Sequence, residues 1–275
     1  TGSPAPSSTL ALVAPAPSSC FQRFREFNTV TEGYAAAERE GVNALPFVVR
    51  ASTAALAGVF KSSGAADATS WPSETTIRGQ MCRERDIKGY EGAANEAVHM
   101  TGRDTLSCFD AGEMTHNVVD SESTRSSTSL LSGEMIALNT TSRVDSDNWL
   151  AYVVSPMSNR CGQLHKDPPH GSNWQYLSSG SKTWYAMSAA FDLEGHNATT
   201  LEPGVPPDMA ALSLSGDCYK AVIGAGDFVY VPIHWAHAIN TTLASVGLSG
   251  YGCVPTCMLS PRSSGAESGC GSGDY

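Results

Sequence analysis

Gly224-Ala225-Gly226-Asp227-Phe228-Val229-Tyr230-Val231-Pro232-Ile233-His234-Trp235-Ala236-His237 reads as a turn, a buried strand and a proline-limited strand end carrying two histidines. The glycines supply the turn, and the apolar run between turn signals is of strand length. Working outward, runs of the same texture lie at 150–154, 184–187, 221–223, 228–233 and 245–249, separated by Gly, Pro or Asn signals. Many short strands with few long helices predict an all-β core, a sandwich or barrel. Upstream, a helix is expected with Phe21, Phe24 and Phe27 on one face. Another is expected over 31–40, ending at Gly41, followed by a strand at 46–49 and a short helix capped by Ser52 or Thr53 and running to Phe60. Residues 62–148, rich in Ser, Thr, Gly and Asp, read as short strands and long loops, and 206–213 as one or two helical turns. There is no internal repeat.

The bulk numbers narrow the function. A chain of 275 residues with 41% hydrophobic residues has material for a sizeable core, and single β-barrels reach this size. A net charge of −10 gives no electrostatic footprint for nucleic acid or an anionic membrane. No apolar run approaches the roughly eighteen residues that span a bilayer. Residues 1–19, alternating Pro with Ala and Ser and carrying no charge, read as a disordered tail. The organisation expected is therefore a tail at 1–19, a domain at 20–252 and a cysteine-containing tail at 253–275.

The eight cysteines (Cys20, Cys82, Cys108, Cys161, Cys218, Cys253, Cys257 and Cys270) form no C-x-x-C pair. Three Asn-x-Ser/Thr sequons, at Asn139, Asn197 and Asn240, accompany them. Together with few lysines, this usage predicts an oxidising compartment, a secreted or secretory-lumen protein, and at least three disulfides, with Cys253, Cys257 or Cys270 tying the tail to the domain. The competing reading is a cytosolic protein with scattered buried thiols. The sequence opens at Thr1 without a signal peptide, which reads as a mature or trimmed chain.

The chemistry gathers in Gln163-Leu164-His165-Lys166-Asp167-Pro168-Pro169-His170. On an extended strand, His165 and Asp167 leave the same face. One imidazole and one carboxylate are two-thirds of a facial triad whose remaining positions stay open. Such pairs are common on surfaces, so a third ligand is needed, and His237 at the end of the opening segment can return to the first two. Between the halves, Gly180-Ser181-Lys182-Thr183-Trp184 places a lysine at the start of an aromatic strand. A lysine buried in a barrel without a partner is costly, so Lys182 is expected to face an anion.

The order H-x-D, Asn, G-x-K-x-W, then G-D, four apolar residues and P-x-x-W-x-H, resembles the Jumonji-C branch of the Fe(II)/2-oxoglutarate oxygenases over about 150–251. A looser similarity over 21–60 includes Pro46 to Arg50. The resemblance implies a double-stranded β-helix (cupin barrel) with N-terminal helices. It also implies Fe(II) ligation by His165, Asp167 and His237, with Lys182 on the far carboxylate of 2-oxoglutarate. Asn173 would be a second cosubstrate contact, and Trp235 would pack behind the distal ligand. The sequence departs from the family pattern at Gly162, at the long gap from Asp167 to Asn173, at Ser249 and at Ala236. Ala236 replaces a second Trp and is expected to leave room beside the metal.

The implied activity is a hydroxylase acting on a protein, peptide, glycan or small metabolite of the secretory pathway or extracellular space. Two rivals are a catalytically silent extracellular glycoprotein on the same scaffold and a cupin holding another divalent metal. His234 is expected to point away from the centre, His170 to sit in a loop, and His99, His116 and His196 to be solvated. Tyr152 and Tyr176 are candidates to face the pocket, with core packing the commoner role for barrel aromatics. Substrate and oligomeric state are not written in these motifs.

Overall fold

The computed structural model describes residues 21–51, 73–82, 87–91, 96–111, 117–119, 143–154, 164–167, 172–192 and 218–253. The chain begins with β1 (Gln22–Arg23), β2 (Arg25–Phe27), α1 (Val30–Glu40) and β3 (Phe47–Val49). It continues through α2 (Glu74–Met81), β4 (Ile87–Glu91), β5 (Glu96–Met100), α3 (Gly102–Ala111) and β6 (Asn117–Val119). The remainder is β7 (Arg143–Val154), β8 (His165–Lys166), β9 (Ser172–Met187), β10 (Cys218–Gly224), β11 (Phe228–Val231) and β12 (Ala236–Cys253). Ten strands make one nearly closed, barrel-like sheet in the order β2-β3-β11-β9-β12-β7-β6, with β10 joining β9 to β1 and β8 pairing β12; β4 and β5 form a separate hairpin. The β-rich core with few helices agrees with the sequence expectation at that level.

Alternation along the strands separates inside from outside. Val48, Tyr152, Val154, Leu177, Trp184, Ala186, Ala221, Ile223, Val229 and Val231 pack together as the interior. Their neighbours Phe47, Val153, Trp174, Tyr176, Phe228, Tyr230 and Leu248 face outward and bury against Tyr34 of α1, Ile77 of α2 and Phe109 of α3. A third cluster, including Leu164, Tyr185, Met187, Ala236 and Ala238, covers another part of the outer face.

β9 changes side partway along. Leu177 points in before Gly180, and Trp184 and Ala186 point in after it, so the period-2 pattern slips by one residue in between. Gly180 has φ +96, and a Cβ there would run into the carbonyl of Ala244 and the hydroxyl of Ser245. The partner strand β12 shifts register at the same place, after Thr241 and again after Leu243. The slip is a bulge that turns one long strand from β11 toward β10 and keeps both halves of β9 facing the interior.

Two expectations are corrected. Phe21, Phe24 and Phe27 do not lie on a helix: residues 25–27 pair in parallel with 47–49, and 22–23 with 219–220. Ladder partners contributed from elsewhere in the chain override a spacing-of-three pattern too short to be decisive. Within 62–148, two helices stand where loops were expected. Ser73 caps α2 by accepting from Thr76 N at 3.2 Å, and Thr101 caps α3 by accepting from Asp104 N at 3.2 Å. α1 matches its expectation, with Thr29 as N-cap and Gly41 at φ 59 closing it.

The opening segment and Arg50 meet across 177 positions. Asp227 Oδ1 accepts from Ala51 N at 2.9 Å, while Oδ2 accepts from Gly224 N at 3.0 Å and from Arg50 Nη1 at 2.9 Å. Arg50 also binds Glu26 and the Val222 carbonyl. The Gly-Asp of the motif thus fastens its own turn and the N-terminal strand. Because Arg50 is nearly half exposed, the two part-buried backbone donors, Ala51 N and Gly224 N, dominate. Asp227→Ala is expected to lower stability by about 2–3 kcal/mol, measured by urea unfolding, and Arg50→Ala by about 1 kcal/mol.

Cys82 and Cys108 carry unbridged thiols, and no disulfide forms among the described residues. Cys20, Cys161, Cys257, Cys270 and the side chain of Cys253 lie outside the described residues, as do 52–60, 206–213, Asn139 and Asn197. Asn240 sits within β12 opposite Thr183, half-buried. Among the described residues, no helix is long and apolar enough to cross a membrane.

Candidate metal centre

The start of β12 is flanked by two strands, and this sets the site. His237 pairs with His165 of β8 on one side and with Ala186 of β9 on the other. Cross-strand partners share a face, so the two imidazoles meet with ring centroids 4.4 Å apart. Asp167 follows β8 directly. Its Oδ1 lies 3.7 Å from His165 Nε2 and its Oδ2 3.7 Å from His237 Nε2. Lys166, between them, points the other way and donates to the carbonyls of Ala189 and Phe191. The three ligand-type atoms all lie within 4.8 Å of one another, so this group could hold a metal ion. Asp167 and His237 are enclosed, at 7% and 1% side-chain exposure, whereas His165 is 49% exposed and marks the side on which the centre meets solvent.

His237 is set up as a neutral ligand. Its Nδ1 lies 3.3 Å from the Trp235 carbonyl, which can only accept, so the proton belongs on Nδ1 and the Nε2 lone pair faces Asp167. Burial, then the neighbouring His165, holds the imidazole below its ordinary pKa against the pull of Asp167. Its Nε2 is buried without a hydrogen-bond partner. A lone pair left bare in the interior is costly, and a cation shared with a carboxylate and a second imidazole satisfies it. The donor set fits a divalent ion on these grounds. Trp184 stacks on the His237 ring at 5.6 Å, and its Nε1 is also buried without a partner.

Lys182 lies farther along the same face of β9, four residues before Ala186, or roughly 13 Å of strand. It is 3% exposed. Its Nζ lies 3.8 Å from the centre of the Tyr152 ring and donates to Gln175 Oε1 at 3.3 Å. No carboxylate among the described residues forms an ion pair with it. Desolvation therefore pushes the ammonium down to about 7. Asn173, one interior position from Gln175, is buried with Oδ1 unpartnered.

The structure brings together the three residues singled out as ligands and puts Lys182 and Asn173 in the same barrel. The placements of Ala236 and Trp235 differ from expectation, whereas those of His234 and His99 agree with it. Ala236 faces the outer cluster with Leu164 and Met187, because it is one residue out of phase with His237; its small side chain therefore opens no space at the centre. The Trp235 indole packs edge-on against Tyr219 at 5.3 Å, and it is the Trp235 carbonyl that supports His237. His234 is exposed in a turn at φ 65, and His99 is exposed; His116, His170 and His196 lie outside the described residues.

The sequence did not single out Gln175, and for Tyr152 it offered a pocket-facing role behind core packing. The available signal was Asn173-Trp174-Gln175, two amides at strand spacing before an inward lysine. Gly247 admits Tyr152: a Cβ there would collide with the Tyr152 hydroxyl. No protein-family model matches the chain, and neither does any curated protein at a significant level.

Proposed function

We propose that the chain is an Fe(II)/2-oxoglutarate-dependent oxygenase of Jumonji-C type, built on a double-stranded β-helix and working in the secretory lumen or outside the cell. The observation that carries this reading is a pairing on one interior face. A His-Asp-His cluster stands at one end, and a buried lysine with no carboxylate partner among the described residues stands at the other. The cluster alone suits several divalent metals. The lysine adds a demand for an anion, and a ligand with a metal-binding end and a distant carboxylate answers both.

In this reading Fe(II) and 2-oxoglutarate, when bound, supply the oxidising chemistry. The protein supplies position. Asp167 and His237 are held by burial, and the Trp235 carbonyl fixes the His237 tautomer. Lys182 takes the far carboxylate, and Asn173 and the Trp184 indole offer further polar contacts on the interior side of the sheet. The apolar interior excludes water from that end. A substrate, whether protein segment, peptide, glycan or small metabolite, would approach from the exposed His165 side.

Anaerobic Fe(II) loading followed by 2-oxoglutarate titration tests the reading. A visible charge-transfer absorption, a rise in melting temperature and succinate release on admitting oxygen are the expected results. Iron binding with no response to 2-oxoglutarate by any of these measures would instead support a silent cupin-fold glycoprotein.

A further inference from the structure

We propose that Gln175 is a specificity-determining residue of this site, the second arm of a carboxylate clamp whose first arm is Lys182. The inference rests on the functional reading above and extends it to a residue that neither the motif nor the strand pattern singled out. Gln175 is central in the sheet, paired with Val229 of β11 and Ser249 of β12, and it is buried. Position 175 shares a strand face with Leu177, which packs with Val229 and Tyr152 in the apolar interior. An apolar side chain would serve packing there, so a buried amide needs a polar reason.

Its partner supplies one. An ammonium has three donors and no acceptor, so the amide oxygen must be the atom facing Lys182, as the 3.3 Å contact shows. Tyr152 covers another side of the ammonium with its ring face. Both neighbours are neutral, so they hold Lys182 in place without discharging it. The amide is also two-sided. Its terminal torsion has a broad, roughly twofold preference, and a half-turn exchanges the oxygen for an N–H₂ donor. Among the described residues Lys182 is its one hydrogen-bond partner, so that turn sacrifices a single bond. With a carboxylate seated on Lys182, the turned amide donates to the second carboxylate oxygen. The site would then hold the far carboxylate by one charged and one neutral donor, a pairing that rewards a dicarboxylate over a monoacid of equal length.

The test compares wild type, Gln175→Leu and Gln175→Glu, each loaded with Mn(II). Each is titrated with 2-oxoglutarate and with 2-oxopentanoate, which keeps the five-carbon keto acid but lacks the far carboxylate. Wild type is expected to prefer the diacid. Leu at 175 should cut that preference about tenfold, through the diacid affinity alone. Glu at 175 should pair with Lys182 inside the protein and reverse the preference, with Mn(II) affinity unchanged in both variants. An unchanged ratio in Gln175→Leu, or a Gln175→Glu protein that still prefers the diacid, overturns the inference while leaving the oxygenase reading intact. Failure of wild type to bind either keto acid sinks both together. Should Gln175→Leu not fold, Gln175→Met, close in shape and without the amide, takes its place.

Discussion

On the proposed oxygenase reading, Lys182→Met is expected to stabilise the ligand-free protein while strongly weakening 2-oxoglutarate binding. The two effects share one cause, an ammonium held at full burial by neutral neighbours. An unperturbed lysine titrates near 10.4, whereas Lys182 is pushed down to about 7. Below pH 7 both the folded and the unfolded chain carry the proton, and the burial penalty is complete. Between pH 7 and about 10.4 the unfolded chain keeps a proton that the folded chain has released, so stability rises with pH. Above that range the penalty is gone. The ceiling on the gain from methionine is about 5 kcal/mol at pH 6, reduced by the lost Gln175 bond and Tyr152 contact to a few kcal/mol. Thermal melts should show the variant roughly 5–10 °C above wild type at pH 6 and level with it near pH 10.5. Binding runs the other way. The diacid needs the protonated lysine, so wild-type affinity should fall by up to tenfold per pH unit above 7. The variant should bind about 100-fold more weakly at pH 7, with metal affinity retained. A variant less stable than wild type at pH 6 would show that the ammonium is already compensated.

Loss of either enclosed ligand should abolish specific metal binding. Asp167→Ala leaves two imidazoles facing each other without the carboxylate, and His237→Ala removes the side chain whose tautomer and ring plane are fixed by the Trp235 carbonyl and Trp184. Removal of a supporting group outside the ligand set costs about 10–100-fold in metal affinity, and removal of a ligand itself should exceed that. His165→Ala is expected to be milder, because a half-exposed ligand has water to replace it. Calorimetric titration with Mn(II) and anaerobic Fe(II) reads the order: His165→Ala weakened, the other two without saturable binding. Equal affinity in Asp167→Ala and wild type would place the ion elsewhere.

The β-core and the convergence of His165, Asp167 and His237 were legible because both depend on short periods. Alternation marks a strand, and an H-x-D pair with a distant histidine needs only a ladder to close it. What stayed hidden depends on partners far away in the chain. Phe24 and Phe27 could not reveal that their segment pairs with 47–49 and 219–220 and not with itself. The Gly180 slip was not inferred, although it decides which residues of β9 face inward; counting by twos from Lys182 back to Gln175 puts them on opposite faces. Gln175 and Lys182 lie on either side of that slip, which is what lets them meet. The caps of α2 and α3 were visible as Ser73-x-x-Thr76 and Thr101-x-x-Asp104, yet the polar composition around them masked the helices they begin.

The union of β3 with β11 sets the order in which the molecule can be completed. Phe47, Val48 and Val49 take their antiparallel partners from 228–230. On a ribosome adding roughly 5–20 residues per second, that partner emerges some 10–40 s after the strand itself. During that time the segment carries three apolar side chains and one unpaired edge, the features that invite association with other nascent chains. Closing a loop of this length also makes barrel assembly slow once synthesis ends. Folding yield should therefore depend on a holdase that shields residues 47–49, and the cost of the distant Asp227 fastening should appear first as aggregation during synthesis.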